Sequence, residues 1–167
     1  MNGFAKFGMV TATAGMIMAS VAPAEAQRVA GRTGKGTMAA AGSAGGNTWA
    51  RGRKTTTTDG STTIGSGGAF KGANGSTGAR ASLATVNSDG SASRAGSAGV
   101  TGARGSAGSQ GSATRNADGT YSGTRTSKAT NAATGNSYNG TTTYDQNGVN
   151  RTATCTDSSG ATIACPR

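Results

Sequence analysis

A turn signal recurs along this chain at a nearly constant interval. Its clearest copies are Asp59-Gly60, Asp89-Gly90, Asp118-Gly119 and Asp145-Gln146-Asn147-Gly148. The turn glycines of these copies are 30, 29 and 29 residues apart. Further turn glycines lie about halfway between them, in Asn74-Gly75, Arg104-Gly105 and Thr134-Gly135. Because Asp-Gly and Asn-Gly favour tight hairpin turns, the spacing predicts units of about 15 residues, each made of one strand and one turn.

The segments between the turns alternate as β-strands do. In residues 138–144, one face carries Tyr138, Gly140, Thr142 and Tyr144. In residues 149–156, Val149, Arg151, Ala153 and Cys155 alternate with hydroxyl and amide side chains. This period of two, bounded by turn residues, predicts an all-β fold of antiparallel hairpin or meander repeats. One face of each hairpin is expected to be aromatic and basic, and the other to carry hydroxyls.

Large apolar residues are scarce. After residue 26 there are 13 of them in 141 residues, which is too few for a conventional hydrophobic core around which so long a chain could order. The repeats are therefore expected to be elongated, or to depend on neighbouring repeats and neighbouring subunits for their order. The residues predicted to pack are Tyr121, Tyr138, Tyr144, Val149 and Ile163.

The first 26 residues have the layout of a secretory signal. Lys6 precedes an apolar run over residues 7–22, and Ala24-Glu25-Ala26 provides a cleavage site. The sequence thus predicts a secreted, extracellular or cell-surface protein, or a periplasmic one in a Gram-negative host, with no transmembrane segment once the signal is removed. Residues 27–54 are predicted to be a disordered, basic Gly/Ala-rich linker, and residues 55–167 the repeat region.

Two cysteines, Cys155 and Cys165, bracket the last turn signal. In an oxidising compartment this spacing predicts a disulfide that closes the C-terminal hairpin. The chain has no histidine, so the pair does not indicate a metal site.

Residues 144–160 also resemble a known repeat. Tyr144-Asp145-Gln146-Asn147-Gly148, followed by Thr156-Asp157-Ser158-Ser159-Gly160, is similar to one unit of the tyrosine-aspartate hairpin repeats of large secreted shell-forming proteins. The resemblance implies hairpins in this part of the chain.

The residues needed for catalysis are missing. Beyond Glu25 the only acidic residues are five aspartates, and each stands close before a turn glycine, where turn chemistry explains it. Without histidine, and with both thiols in a disulfide, the usual pairs of base and nucleophile cannot form. The sequence predicts no enzyme, cofactor, metal site or small-molecule substrate.

The formal net charge of +10 implies anionic partners in a general way. The first candidates for polyanion contact are Arg51, Arg53, Lys54, Arg125 and Arg151, and the further ones are Arg80, Arg94, Arg104 and Arg115. Two functions are thus expected. The first is an exported structural or cell-surface protein, a self-assembling, homo-oligomeric or polymeric subunit of a fibre, matrix or coat. The second is a basic module that binds acidic polysaccharide, lipid head groups or extracellular DNA.

Overall fold

Turn residues divide the chain into strands that pair in sequence order. A computed structural model describes residues 27–33 and 36–165. The predicted signal at residues 1–26 lies outside the described residues. The strands are β1 (Gln27–Thr33), β2 (Thr37–Ala44), β3 (Asn47–Thr58), β4 (Ser61–Lys71), β5 (Thr77–Val86), β6 (Ala92–Gly102), β7 (Gly105–Arg115), β8 (Tyr121–Asn131), β9 (Ser137–Asp145), β10 (Gly148–Thr156) and β11 (Thr162–Ile163).

These strands form one antiparallel sheet of eleven strands in the order β1 to β11. The predicted all-β hairpin meander is confirmed. Strand lengths range from 2 residues in β11 to 12 in β3, and the repeat unit of about 15 residues stays a prediction. The described part of the chain contains no helix that could span a membrane.

Strands also occupy the region for which the sequence predicts a disordered linker, residues 27–54. There β1 pairs with β2, β2 pairs with β3, and β3 continues to Thr58. Small residues such as Ala40 and Gly42 carry no alternation that would reveal a strand. They are nevertheless ordered, because β2 pairs with β3 of the longer β3–β4 hairpin and the indole of Trp49 packs over Gly42.

The tight turn between β3 and β4 has a backbone conformation that requires residues such as Asp59 and Gly60. Asp59 and Gly60 have φ values of 47° and 76°, so both central positions of the turn are left-handed. Such turns match the twist of the flanking strands, and they favour aspartate or asparagine followed by glycine. Gly148 has a φ of 138° and opens β10 after Asp145, Gln146 and Asn147.

The other Asp-Gly signals form a longer loop. Between β7 and β8, the Asn116 amide donates to the Thr120 carbonyl at 2.8 Å, and the Gly119 amide donates to the Asn116 carbonyl at 3.0 Å. The Asp118 carboxylate accepts from the Thr120 hydroxyl at 2.7 Å and from the Thr120 amide at 2.9 Å. The backbone bonds of this loop recur between β4 and β5, between β5 and β6 and between β10 and β11.

These hydrogen bonds change the acidity of the carboxyl. The Thr120 hydroxyl, followed by the Thr120 amide, lowers the pKa of Asp118 below its ordinary value, because both donors stabilise the charged form. The pKa of Asp89 and the pKa of Asp157 are lowered in the same way, by Ser91 and by Ser159 with Ala161. The loop closing β4 to β5 has the amide of Asn74 at the equivalent position.

Successive hairpin turns lie at opposite ends of a meander. Asp59, Asp89 and Asp118 lie in turns, and Asp145 ends β9 directly before the next turn; two strands separate each of these turns from the next, so all four lie at the same end of the sheet. Asp157, between β10 and β11, lies at the other end. Four of the five aspartates thus form one acidic end.

The sheet is a single layer without a hydrophobic core. Among the described residues only Gly140 and Cys155 are buried, since no second layer covers either face. Each strand contacts its sequence neighbours alone, which leaves the two edges of the sheet unpaired within the described residues. This agrees with the predicted elongated, open architecture.

The predicted disulfide is present. Cys155 in β10 is bonded to Cys165, and their Cα atoms are 5.2 Å apart. The bond fastens the short strand β11 against the last two residues of β10, Cys155 and Thr156. Disulfides persist in oxidising compartments, so this bond indicates a location outside the reducing cytoplasm.

Candidate functional site: the arginine face

The register of the sheet sorts the charged side chains by face. Paired residues lie on the same side of a sheet, and the pairing within every ladder is continuous, so each residue of a strand can be assigned to a face. One side, here the arginine face, carries Arg51, Arg53, Arg80, Arg94, Arg115, Arg125 and Arg151. The same face carries Trp49, Phe70, Tyr121, Tyr138 and Tyr144. The other side, the hydroxyl face, is rich in Thr and Ser and holds Lys54, Lys71 and Lys128.

The nine predicted polyanion contacts do not act from one surface. Lys54 pairs with Gly65 and lies on the hydroxyl face, opposite its sequence neighbours Arg51 and Arg53. Arg104 lies in the turn between β6 and β7. The other seven share the arginine face, and all seven side chains are exposed.

No carboxylate shares the arginine face in the described residues. Four aspartates lie in turns, and Asp145, at the end of β9, pairs with Ser122 on the hydroxyl side. Arg51 and Arg80 lie in the same row two strands apart, which is about 10 Å at the usual strand spacing. At that distance two cations repel by roughly 0.4 kcal/mol in water. The face is therefore a cationic surface without internal compensation.

An apolar row crosses the arginine face from strand to strand. Cross-strand pairing places its members side by side in the order Trp49, Phe70, Gly78, Val100, Ala107, Ala129 and Tyr138. The exposed fractions of Phe70, Val100 and Tyr138 are 45%, 42% and 39%. A contiguous apolar strip as exposed as this indicates an interaction surface.

The apolar row forms the floor of a groove with a volume of about 700 Å³. The groove runs across the strands from β3 to β9, which is about 29 Å at the usual strand spacing. Arg51, Arg80 and Arg125 lie along it, together with Ser109 and Ser127. Aromatic, cationic and hydroxyl side chains are thus brought to one elongated site.

Three aromatic rings of this face lie over glycines of a neighbouring strand. A Cβ atom at Gly42 would lie 2.8 Å from Cζ2 of Trp49, so the indole occupies the space above that glycine. The Phe70 ring covers Gly78 on the next strand, and the Tyr144 ring covers Gly123. Aromatic rings placed over glycines in this way compensate for the missing side chain and pin the register of the strands.

The arginines have few partners within the sheet. The guanidinium of Arg51 lies 5.5 Å from the centroid of the Trp49 ring, a cation–π contact. Arg125 donates from Nη2 to Oγ of Ser109 at 3.2 Å. Each guanidinium has five donors, so most of their hydrogen-bonding capacity faces outward.

On the hydroxyl face, side chains hydrogen-bond to each other across the strands. Thr63 and Thr85 are 3.2 Å apart between their oxygen atoms, and the hydroxyls of Ser137 and Thr156 are 2.7 Å apart. Taken as a whole, the sheet therefore has one face that carries the arginines and the aromatic rings and one that carries mainly small polar groups.

The residues predicted to pack also lie on the arginine face, but outside any core. Tyr121 is 46% exposed and Val149 is 64% exposed, while Tyr144 is half-buried against Gly123. Ile163 pairs with Cys155 beside the disulfide. The sequence missed the division of the cations between the faces and the part played by Phe70. The division of the cations and the place of Phe70 can both be found by counting residues from each turn, because residues an even number of positions apart in a strand lie on the same face.

No group of three or more His, Cys, Asp or Glu side chains that could hold a metal ion occurs in the ranges 27–33 and 36–165. No protein-family model, curated protein or solved structure matches the chain.

Proposed function

We propose that the protein is an exported structural protein of a cell surface or extracellular matrix, whose sheets join edge to edge into larger assemblies. The observation that carries this proposal is the open edge of β10. β9 pairs with the whole inner side of β10, but on the outer side only Cys155 and Thr156 pair with β11, so the outer side of residues 148–154 is unpaired in the described structure.

An unpaired edge of this kind favours addition of another strand. Its backbone N–H and C=O groups form a ready template for a second chain, and natural proteins usually block such edges with charge, proline or a covering segment. Along residues 148–154 there is no proline and only one charge, Arg151. The outer edge of β1 is also unpaired in the described structure, so a copy has two edges through which sheets can extend. This role needs no catalytic chemistry.

The experiment blocks the β10 edge without disturbing its pairing with β9. Because N–H groups alternate between the two sides of a strand, either Thr152→Pro or Ala153→Pro removes an outward N–H, and the other breaks the β9 ladder. Far-UV circular dichroism identifies the variant that keeps its strand content. We expect the unmodified, oxidised chain to sediment as a concentration-dependent polymer, with a repeat of about 4.8 Å along any fibre.

In the proline variant that keeps the fold, polymer should be lost, and the other variant serves as the unfolding control. A strictly monomeric wild-type chain across the concentration range would overturn the assembly proposal.

A second function is supported by a separate observation, the segregation of seven arginines onto a face without carboxylates. We propose that this face binds polyanions, and that assembly would display it repeatedly along a fibre. Binding of this kind should weaken steeply with salt, because each contact releases counterions. Elution from immobilised heparin at the same low salt as a neutral protein would refute it.

A further inference from the structure

The groove across the arginine face has features beyond a general preference for negative charge. We infer that it binds an acidic polysaccharide, a chain of uronate or sulfated sugars, lying across the strands from β3 to β9. This inference rests on the proposed polyanion binding and names the site and the ligand class.

The shape of the groove indicates a polymer. It extends over about 29 Å, crossing seven strands, and it is open rather than enclosed. Its floor is the apolar row, in which small residues separate Phe70 from Tyr138. A small anion would contact one arginine and leave the rest of the floor exposed to water.

The chemistry of the lining matches a charged sugar. Pyranose rings present C–H groups on their faces and hydroxyl or carboxylate groups at their rims. The rings of Trp49 and Phe70 and the flat apolar floor suit the faces, while the planar guanidinium forks of Arg51 and Arg80 suit carboxylate or sulfate at the rim. The hydroxyls of Ser109 and Ser127 lie in the row of Arg51 and Arg80, where sugar hydroxyls would pass.

Two other occupants fit less well. Single-stranded nucleic acid stacks its bases on successive aromatic rings, but between Phe70 and Tyr138 there are about 24 Å without a ring. A second copy of the chain would bring its own arginine face, or a hydroxyl face that carries lysines. Neither offers the row of negative charge that the groove requires.

The test uses the only tryptophan of the chain as its probe. Trp49 lines one end of the groove, so its fluorescence should change when polygalacturonate is added to the oxidised full-length chain. The test variant is R51S/R80S on the arginine face. The matched control is K54S/K71S, which removes the same charge from neighbouring strands of the hydroxyl face.

We expect R51S/R80S to bind polygalacturonate at least tenfold more weakly, and K54S/K71S to stay within about threefold of the wild type, because only the first pair contacts the groove. Circular dichroism of each free variant checks the fold. If R51S/R80S fails to fold, R51K/R80K replaces it. R51K/R80K keeps the positive charge but lacks the planar guanidinium fork, so it should still bind polygalacturonate more weakly than K54S/K71S does.

Several outcomes would overturn the inference. Equal losses in the two serine variants would mean that total charge, rather than the groove, governs binding. If neutral dextran bound as tightly as polygalacturonate, the arginines would have no part in recognising the ligand. Tighter, arginine-dependent binding of poly(dT) would assign the groove to nucleic acid and leave polyanion binding intact. Failure to bind either polyanion would refute both proposals, while assembly is scored independently by sedimentation.

Discussion

Tyr144 and Gly123 make the packing of this coreless sheet open to a quantitative test. A Cβ atom at Gly123 would collide with Cζ and Oη of the Tyr144 ring, so the substitution Gly123→Ala has to push the ring aside. At Gly99, in the middle of β6, a Cβ would only meet the Ala107 carbonyl at 3.7 Å, an ordinary contact. The two glycines therefore provide a matched pair for one chemical change.

The substitutions Gly99→Ala and Gly123→Ala should change the free energy of unfolding in opposite directions. Alanine in place of a strand glycine stabilises by about 0.5–1 kcal/mol where it fits, so Gly99→Ala should stabilise the chain by that amount. When Gly123→Ala displaces the half-buried Tyr144 ring, the chain loses about half of the ~1.5–3 kcal/mol that full burial of a large apolar side chain provides. Gly123→Ala should therefore be destabilising by about 0.5 kcal/mol.

A double-mutant cycle isolates the contact. In a Tyr144→Ala background the ring is absent, so Gly123→Ala should become stabilising by about 0.5–1 kcal/mol. The coupling energy between the two positions should thus be about 1–1.5 kcal/mol, which urea denaturation followed by circular dichroism can measure at a concentration where the chain is monomeric. Stabilisation by Gly123→Ala equal to that by Gly99→Ala would refute the packing of the ring on the glycine.

Two further predictions concern the disulfide and the loops. Reducing the bond between Cys155 and Cys165, which have a sequence separation of 10, should lower the free energy of unfolding by about 2.7 kcal/mol, measured by urea denaturation with and without reductant. The pKa of Asp118 is lower in the fold than in the unfolded chain, so its stabilisation is present above about pH 4 and is lost as the pH falls through the lowered value. Amide hydrogen exchange at Thr120 should therefore accelerate in acid relative to exchange in the loop that Asn74 closes, and equal responses would contradict this origin.

The turns were predictable because their chemistry is local. Left-handed φ values at Asp59 and Gly60 require residues that tolerate them, and such residues are visible in any sequence. The strands of residues 37–54 were not predictable, because alanine and glycine have little strand preference of their own. Their order comes from pairing with β4 through β3 and from Trp49 over Gly42, contacts that join residues distant from any local pattern.

The division of charge between the two faces falls between these cases. Arg53 and Lys54 are adjacent in the sequence and are both predicted polyanion contacts, yet successive side chains in a strand point to opposite faces. Parity along a single strand is easy to read, but linking it across many strands requires the length of every turn. A one-residue error in a single loop would exchange the faces of all strands beyond it.

Because each strand pairs only with its sequence neighbours, the number of hairpins in this sheet can change without a change of topology. Duplication or deletion of one complete hairpin would create a new strand pairing only at the junction, and it would return the chain to the same end of the sheet. With the register kept at that junction, a change between β3 and β9 would lengthen or shorten the apolar row by two strands, about 10 Å. Variants of different sizes could thus arise by simple gene duplication while each kept its two chemically distinct sides.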